Sequence, residues 1–237
     1  MRSYNRTDDQ PRPVKITTGF TKYAEGSVLI ETGDTKVICT ASVEESVPPF
    51  IRGSGRGWVT AEYDMLPRAT GTRSARDISK LKLKSRSAEI SRLIGRALRS
   101  AVDFELLGER SIVIDCDVIQ ADGGTRTASV TGGYVALEIA IKKLMDSGLL
   151  KKNPLVSRVA AISAGRVDGK LLLDLDYSED STAEADFNLV MDDRGGIIEI
   201  QGTGEQGTFS AEDVSGLIAL CSKGIGSLFE KQKESVE

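Results

Sequence analysis

Residues 120–133 read QADGGTRTASVTGG and join two regular segments. The ten residues up to Gln120, SIVIDCDVIQ, alternate apolar and polar side chains, which predicts a β-strand. After the glycines, apolar residues recur at helical spacing and predict a helix from Thr127 to about Met145. The recurring residues are Val130, Tyr134, Leu137, Ile141 and Leu144.

The turn has the composition of an anion-binding site. Gly123 and Gly124 can adopt positive φ and bring the backbone close to a ligand. Thr125 adds a hydroxyl, and Arg126 adds a planar guanidinium that matches two phosphate oxygens. The free N–H groups and the positive dipole end of a helix start also favour an anion. The pattern is neither G-x-x-x-x-G-K-[ST] nor G-x-G-x-x-G, so a purely structural turn stays an alternative.

Strands and helices recur in the same order on both sides of this centre. Alternating runs around glycine turns predict three hairpins, and a further strand is predicted over residues 57–66. The hairpin turns are Gly33–Asp34, Asp168–Gly169 and Arg194–Gly196. One amphipathic helix is predicted to follow a cap at Ser85 or Ser87, and another to run from Ala211 to about Glu230.

We therefore expect one domain over residues 1–237 that consists of two halves of similar design. The N-terminal half covers residues 12–146 and the C-terminal half residues 155–227, with the turn-rich stretch 146–155 at their boundary. Strands followed by a helix, twice over, predict a pseudo-duplicated α+β fold in which sheets pack on central helices.

The most restrictive count is that the chain contains no histidine. This excludes Ser-His-Asp triads, Cys-His pairs and histidine-bound zinc. The three cysteines form no C-x-x-C pair, which favours reduced thiols in a cytosol over disulfides or cysteine-bound zinc. We also expect no membrane span and no secretory signal. Catalysis would then rest on carboxylates, Arg or Lys, hydroxyls, backbone amides or a hard metal ion.

Charge is unevenly distributed, although the net charge is only −4. Basic residues dominate the polar stretch from Arg68 to Arg86, which predicts an exposed loop, and every charged residue from Asp174 to Asp186 is acidic. This combination suits a polyanion and a metal ion. Asp180 and Asp186 stand near predicted strand ends, and such a pair is enough for Mg²⁺, which takes one or two carboxylates with waters and phosphate oxygens. A solvated acidic loop is the alternative.

Arg86 is the one basic residue of this region that is predicted to point inward. At about 100° per residue it projects from the first helical turn on the side of the apolar stripe. A charge in that position needs an anionic partner, either a carboxylate or a bound anion. An inward arginine, a glycine turn with its own arginine and a pair of carboxylates together predict chemistry at a phosphodiester, with orthophosphate held by the arginines.

Five segments carry a resemblance that runs from about Arg12 to Ser227. They are AEGSVLIETGDTKVICTASVE, RGSGRGWVTAEYDMLPRAT, RLIGRALR, IDCDVIQADGGTRTAS and EDSTAEADFNLVM. Together they resemble the RNase PH family of phosphate-dependent 3′-to-5′ exoribonucleases, which trim tRNA precursors. The resemblance implies a ribosomal protein S5 domain 2-like fold, shared with polynucleotide phosphorylase and exosome ring subunits. It also implies a hexameric ring, a trimer of dimers, and a cytoplasmic enzyme.

The resemblance assigns roles to individual residues. The phosphate-binding positions are matched by Arg86, Gly124, Thr125 and Arg126. The catalytic, Mg²⁺-associated acids are matched by Asp180 and Asp186. The basic loop that grips the tRNA body is matched by Arg68, Arg73 and Arg76. The implied reaction, on the 3′ ends of tRNA precursors, rRNA and other RNA, uses inorganic phosphate as co-substrate, releases nucleoside diphosphates and is reversible as nucleotide addition.

The sequence departs from the family pattern at several places. Residues 2–6, RSYNR, replace Arg-x-Asp-Gly-Arg, Asp64 and Ser85 stand where glycine is usual, and Phe187 replaces a usual methionine. None of these is an assigned site residue. Two rival functions would require other residues. A hydrolytic nuclease would use several convergent carboxylates and no arginine pocket, and a non-catalytic RNA-binding ring subunit would be expected to lack the arginines or the acids.

Overall fold

Two β-sheets pack against one long central helix in the computed structural model, which describes residues 2–75 and 85–237. The strands are β1 (Val14–Thr18), β2 (Gly26–Thr32), β3 (Thr35–Glu44), β4 (Trp58–Met65), β5 (Ser111–Gln120), β6 (Val159–Val167), β7 (Lys170–Leu173), β8 (Ala185–Asp192) and β9 (Ile197–Gly204). The helices are α1 (Ser85–Arg99), α2 (Phe104–Leu107), α3 (Thr125–Asp146), α4 (Tyr177–Asp180) and α5 (Ala211–Val236), with 3₁₀ turns at Ser3–Asn5 and Pro49–Ile51. This is the α+β architecture predicted from the sequence.

The first sheet belongs to the N-terminal half and has the strand order β1-β2-β3-β5-β4. All its neighbours are antiparallel except β4 and β5, which run parallel. Alternate residues of β3 and β5, such as Cys39 and Ile114, are fully buried under α1 and α3. The predicted turn at Gly33 and the strand over 57–66 are confirmed. The sequence pattern misses β1, because VKITT is short and only half-buried.

The second sheet is antiparallel throughout, in the order β7-β6-β8-β9. The predicted turns at Asp168 and Arg194 join its hairpins, and α5 packs on β6, β7 and β8 and also contacts β1 of the first sheet. α5 continues past the predicted end near Glu230 to Val236. It does so because the buried amide of Gln232 donates to the carbonyl oxygens of Thr131 and Val159, at 3.0 and 2.9 Å, which ties the last turns of the helix to the core.

The central helix α3 is buried by both sheets. It begins at Thr125, two residues before the predicted start at Thr127, so Thr125 and Arg126 form its first turn. All five residues of the predicted apolar stripe are buried. Close packing on β2 requires glycine at position 26, because a side chain there would overlap the carbonyl oxygen of Ala136.

A buried ion pair joins the two halves near the N-terminus of α3. Arg12 is 1% exposed and donates to both carboxylate oxygens of Asp174, at 3.0 Å from Nε and 2.7 Å from Nη2. Its guanidinium also donates to the carbonyl oxygens of Asp122 and Gly123, in the turn before α3. Burial alone would lower the pKa of Arg12, but the charge and hydrogen bonds of Asp174, together with the charges of Asp122 and Asp176, outweigh burial and the pKa is raised. These partners therefore keep the buried guanidinium of Arg12 charged in the core.

We predict that Arg12→Ala lowers the free energy of unfolding by about 3–5 kcal/mol, because Asp174 is then left buried and unpaired. The measurement is urea unfolding followed by circular dichroism. The control is Lys15→Ala, since the Lys15 side chain is 74% exposed beside Glu31 and should contribute less than about 1 kcal/mol. Equal losses in the two variants would show that the buried pair does not hold the halves together.

Candidate active site

A cavity of about 410 Å³ opens where the N-terminus of α3 faces the second sheet. Its lining includes every residue predicted to bind phosphate or to act as a catalytic acid. These are Arg86, Gly124, Thr125, Arg126, Asp180 and Asp186. The fold therefore brings together side chains from α1, from the start of α3, from α4 and from β8.

The glycine turn before α3 forms one wall of the cavity. Gly123 and Gly124 have φ angles of 74° and 64°, and Gly124 is the N-cap residue in the left-handed conformation. A side chain at position 123 would collide with the backbone of Leu175, so both φ and close approach require glycine there. The Thr35 hydroxyl fixes the turn by donating to the carbonyl oxygen of Gly123 at 2.6 Å and accepting from the Asp122 N–H at 2.9 Å.

The first turn of α3 gives the cavity the character of an anion site. In the described part of the chain, no side chain caps the N-terminus of α3 at Gly124, so its N–H groups and dipole remain free to act on a ligand. The Thr125 hydroxyl lies 2.9 Å from the phenolic oxygen of Tyr63, which fixes its position. Arg126 donates from Nη1 to Oε1 of Gln201 at 2.8 Å. That bond holds the guanidinium at the cavity wall.

Arg86 reaches the cavity from the first turn of α1. Its predicted direction, on the side of the apolar stripe, agrees with this place in the lining. It is nevertheless exposed and not enclosed by the core, so its charge faces the solvent of the cavity. An arginine placed in this way can bind a ligand anion without first breaking out of a packed interior.

The two predicted acids lie on different elements. Asp186 lies on β8, but Asp180 ends the one-turn helix α4, which corrects the expectation of a place near a strand end. The turn is helical because Asp176 and Glu179 form a capping box: the Asp176 carboxylate accepts from the Glu179 N–H at 3.0 Å, and the Glu179 carboxylate accepts from the Asp176 N–H at 3.2 Å. Sequence alternation alone does not reveal so short a helix.

Both acids have pKa values above the ordinary range. Burial is the main cause for Asp180, and the negative charge of Asp186 adds to it. Burial is also the main cause for Asp186. The charges of Arg86 and Arg126 act in the opposite direction without restoring the ordinary values. Asp180 is exposed to the cavity whereas Asp186 is half-buried, so the desolvation of Asp180 comes from the cavity walls.

Arginines near the N-terminus hold α4 in place. Arg2 donates from Nε to Glu179 at 2.7 Å, and the buried Arg6 donates from Nη2 to the same carboxylate at 3.1 Å. Asp176 also accepts hydrogen bonds from Ser178 and Ser3. Burial would raise its pKa, but these bonds, the Glu179 N–H and the charge of Arg6 together lower it to about 2. The segment RSYNR, which departs from the family pattern, thus keeps two arginines that position the helix carrying Asp180.

Asp180 and Asp186 are the groups that could hold Mg²⁺ in this cavity. No cluster of three or more metal-binding side chains occurs within residues 2–75 and 85–237. Mg²⁺ takes one or two carboxylates and completes its shell with waters and phosphate oxygens, so a pair of acids is enough for it. A nearby cation would also lower the raised pKa values of the two carboxyls, because it favours their ionised forms. The Mg²⁺ site stays a prediction.

Three polar residues of the cavity region were not predicted from the sequence. Ser163 on β6, Asn188 on β8 and Gln201 on β9 are direct neighbours in the strand register, so their side chains share one face. Asn188 donates to the Asp186 carboxylate at 3.3 Å. Ser163 lines the cavity, is buried, and its hydroxyl has no hydrogen-bond partner within the described residues. Alternation could indicate which side chains share a face, but not that these three strands pair.

The basic loop after β4 is described only in part. Thr70, Gly71 and Thr72 line the cavity, and both Arg68 and Arg73 are exposed nearby in sequence. Residues 67–75 form turns without strand or helix, as expected for a loop. The third predicted RNA-binding residue, Arg76, lies outside the described residues, so its placement stays a prediction.

Comparison with known proteins identifies the class to which this fold and cavity belong. The first domain of the 3′ exoribonuclease family matches residues 10–142, and the second domain of that family matches residues 157–224. The chain therefore belongs to the 3′ exoribonuclease family. Among individual proteins it is 58% identical over 236 residues to ribonuclease PH of Bacillus velezensis and to ribonuclease PH of Bacillus subtilis, covering 99% of this chain and 96% of each relative.

Solved structures share the same fold at low sequence identity. Rice (Oryza sativa) Rrp46 matches with a TM-score of 0.79 and 18% identity over all of both chains. The Archaeoglobus fulgidus exosome with RNA bound to the active site matches with a TM-score of 0.82 and 21% identity, over 97% of this chain and 92% of that one. The family, the fold class and the enzyme class predicted from the sequence are confirmed. Among the described residues, no helix is long and apolar enough to cross a membrane.

We predict that Asp186→Asn stabilises the fold at pH 7–8, by about 0.5–1 kcal/mol, the lower part of the usual range for a single stabilising substitution. The folded-state pKa of Asp186 is raised above the ordinary value of 3.8. Between the unfolded and the folded pKa, the folded protein retains a proton that the unfolded chain has lost, so stability falls as the pH rises through this interval. Asparagine carries no such cost. Thermal unfolding should show the gain at pH 7–8 and none below the ordinary pKa of 3.8.

The control is Asp8→Asn, an exposed carboxyl distant in sequence from the acidic pair. It should change the midpoint little at either pH. A stabilisation of Asp186→Asn that is the same at pH 3 and pH 8 would contradict the role of ionisation.

Proposed function

We propose that this chain is a phosphorolytic 3′-to-5′ exoribonuclease, a phosphate-dependent nucleotidyltransferase that trims the 3′ ends of tRNA precursors and other RNA. One observation supports this most directly: two arginines, the uncapped N-terminus of α3 and a pair of carboxyls with raised pKa values line the same cavity. Similarity to two ribonuclease PH proteins across nearly the whole chain supports it independently.

In the proposed reaction, orthophosphate is bound by Arg86, Arg126 and the backbone N–H groups at Gly124 and Thr125. A phosphate oxygen attacks the phosphorus of the last phosphodiester bond, and the bond from that phosphorus to the 3′ oxygen of the preceding nucleotide breaks. The products are a nucleoside diphosphate and an RNA shorter by one nucleotide, whose 3′ oxygen takes up a proton. A diphosphate and an RNA end can react in reverse, because one phosphoryl linkage replaces another.

The chain's own groups meet the needs of this reaction. Fixed N–H donors and arginines stabilise charge on the nucleophile and on the phosphorus oxygens, without reorganisation during the reaction. A carboxyl with a raised pKa, Asp180 or Asp186, can hold the proton that the departing 3′ oxygen needs. Mg²⁺ bound by these carboxyls would supply charge neutralisation for phosphate oxygens. The Ser163 hydroxyl, which has no hydrogen-bond partner among the described residues, would donate to an oxygen of the bound phosphate.

The larger assembly and its substrate belong to the same proposal. We infer a homohexameric ring, a trimer of dimers, acting in the cytoplasm on tRNA precursors and on rRNA. The exposed loop with Arg68, Arg73 and Arg76 would bind the phosphates of the tRNA body, since clustered arginines neutralise the RNA backbone. Relatives of the fold include subunits of an archaeal exosome core, which is consistent with assembly into a larger complex.

The decisive experiment incubates a 3′-extended tRNA with Mg²⁺, with and without phosphate, and identifies the released nucleotide. Nucleoside diphosphates that appear only with phosphate are the expected result. Monophosphates released without phosphate would show a hydrolytic nuclease, and no release under either condition would show a non-catalytic RNA-binding subunit.

Arg86, Gly124, Thr125, Arg126 and Ser163 form what we call the phosphate cradle. Variants of the cradle refine the same assay. Arg126→Ala should raise the KM for phosphate at least tenfold, because it removes one or two charge-assisted hydrogen bonds of about 1.5–3 kcal/mol each. Ser163→Ala should raise it several-fold, since a neutral hydrogen bond contributes about 0.5–1.5 kcal/mol. The control is Arg92→Ala, an exposed arginine on α1. A KM in Arg126→Ala equal to that of the control would exclude the cradle.

We predict that replacing Arg68, Arg73 and Arg76 together by alanine weakens tRNA binding and flattens its dependence on salt. Each lost phosphate contact should reduce the slope of log K against log salt by roughly 0.7–0.9. Fluorescence anisotropy at several salt concentrations measures this. The control removes the same charge elsewhere, by alanine at the exposed Lys151, Lys152 and Lys170. A loss that is equally large for a short unstructured RNA would show that the loop does not bind the tRNA body.

A further inference from the structure

Beyond the phosphate cradle, we propose that Tyr177 is a binding surface for a nucleobase, on which the 3′-terminal base of the RNA stacks. The proposal rests on the proposed function, because it adds a base-binding surface to the same cavity. The phosphate groups and acids described above account for the backbone of the substrate. None of them offers a flat apolar surface to the base of the nucleotide that is removed.

The side chain of Tyr177 is in the right place for this role. Tyr177 and Asp180 lie three residues apart on α4, so they project from the same face of that helix. Both line the cavity that also contains Arg86 and Arg126. A nucleotide whose phosphorus lay at the arginines and acids would therefore occupy the cavity that the tyrosine ring also lines.

The exposure of this ring is unusual among the aromatic residues. Within residues 2–75 and 85–237, the aromatic side chains more than half exposed are Tyr23 at 88%, Phe50 at 70% and Tyr177 at 66%. Of these three, Tyr177 is the one that lines the cavity. A large aromatic face left open in a cavity lined by cationic groups is what stacking on a nucleic-acid base requires.

The backbone under the ring is held rigidly relative to the cradle. The Tyr177 N–H donates to the Asp122 carboxylate at 3.2 Å, in the turn that leads into α3. The preceding residue, Asp176, is the buried cap of α4. One hydrogen bond therefore links the backbone of Tyr177 to the glycine turn before α3, so that the residue carrying the ring keeps a fixed position relative to Gly124.

Stacking also suits an enzyme that removes nucleotides one after another. Every base presents a π-face, so an aromatic surface accepts all four bases with similar strength. A pocket with fixed hydrogen-bond donors and acceptors would discriminate between them. The ring of Tyr177 is the surface in this cavity that could position any terminal nucleotide in the same way.

The test compares Tyr177→Ala and Tyr177→Phe with the control Tyr23→Ala, which removes a more exposed tyrosine that does not line the cavity. Steady-state phosphorolysis is measured on an RNA with an ordinary 3′-terminal nucleotide and on the same RNA with an abasic one. We expect Tyr177→Ala to raise the KM for the ordinary RNA about tenfold, with the KM for phosphate within twofold of the wild type. Tyr177→Phe and Tyr23→Ala should resemble the wild type, because phenylalanine keeps the stacking face.

The abasic substrate separates stacking from a structural effect. On this RNA, wild type and Tyr177→Ala should have the same KM, since the base that the ring would contact is missing. A tenfold rise on both RNAs, or an unchanged KM on the ordinary RNA, would overturn the proposal while leaving phosphorolysis itself intact.

A direct binding measurement does not depend on catalysis. RNA with 2-aminopurine as its 3′-terminal base is titrated with each protein in the absence of phosphate. Stacking on Tyr177 should quench the fluorescence in the wild type and in Tyr23→Ala, and the quenching should be lost in Tyr177→Ala. Equal quenching in all three proteins would exclude the tyrosine as the base-binding surface, whatever the outcome of the phosphate test.

Discussion

The buried pair of Arg12 and Asp174 is the interaction on which the geometry of the cavity depends. The two residues are 162 positions apart, and Arg12 also donates to the carbonyl oxygens of Asp122 and Gly123. One guanidinium thus fixes the end of β7, the segment before β1 and the turn before α3 relative to one another. An ion pair buried this deeply survives because its remaining donors are satisfied by carbonyl groups, and those carbonyls belong to the glycine turn before α3.

The two halves that this ion pair joins contribute different chemistry to one site. The first half provides the glycine turn, the start of α3 and Arg86, which are positive in character, and the second half provides the acids on α4 and β8. Neither half alone encloses the cavity, because its walls are formed only where α3 packs between the sheets. The pseudo-duplicated fold therefore works as a single unit, with α3 as the shared core element.

Sequence periodicity predicts the strands and helices, which depend on neighbouring residues, but it does not reveal contacts between residues that are distant in the chain. The hairpins, α1 and the buried stripe of α3 follow from alternation and helical spacing. The first turn of α3 was placed two residues late, because Thr125 and Arg126 carry no apolar signal. Arg12, Ser163 and Tyr177 were missed for a different reason. Their significance comes from partners or surfaces across the fold, and no local pattern in one sequence encodes that pairing.

The chain contains no histidine, so in the proposed reaction a carboxyl is the side chain that would supply the proton to the departing 3′ oxygen. Burial moves the pKa of Asp180 and Asp186 upward, towards the range in which a carboxyl can donate a proton near neutrality. A bound Mg²⁺ would act in the opposite direction, because a nearby cation favours the ionised form. Metal ligation and proton donation therefore exclude each other on one carboxyl but not on a pair. Two acids whose charges raise one another's cost of ionisation can divide the roles, with one ionised beside the metal and the other protonated towards the leaving 3′ oxygen.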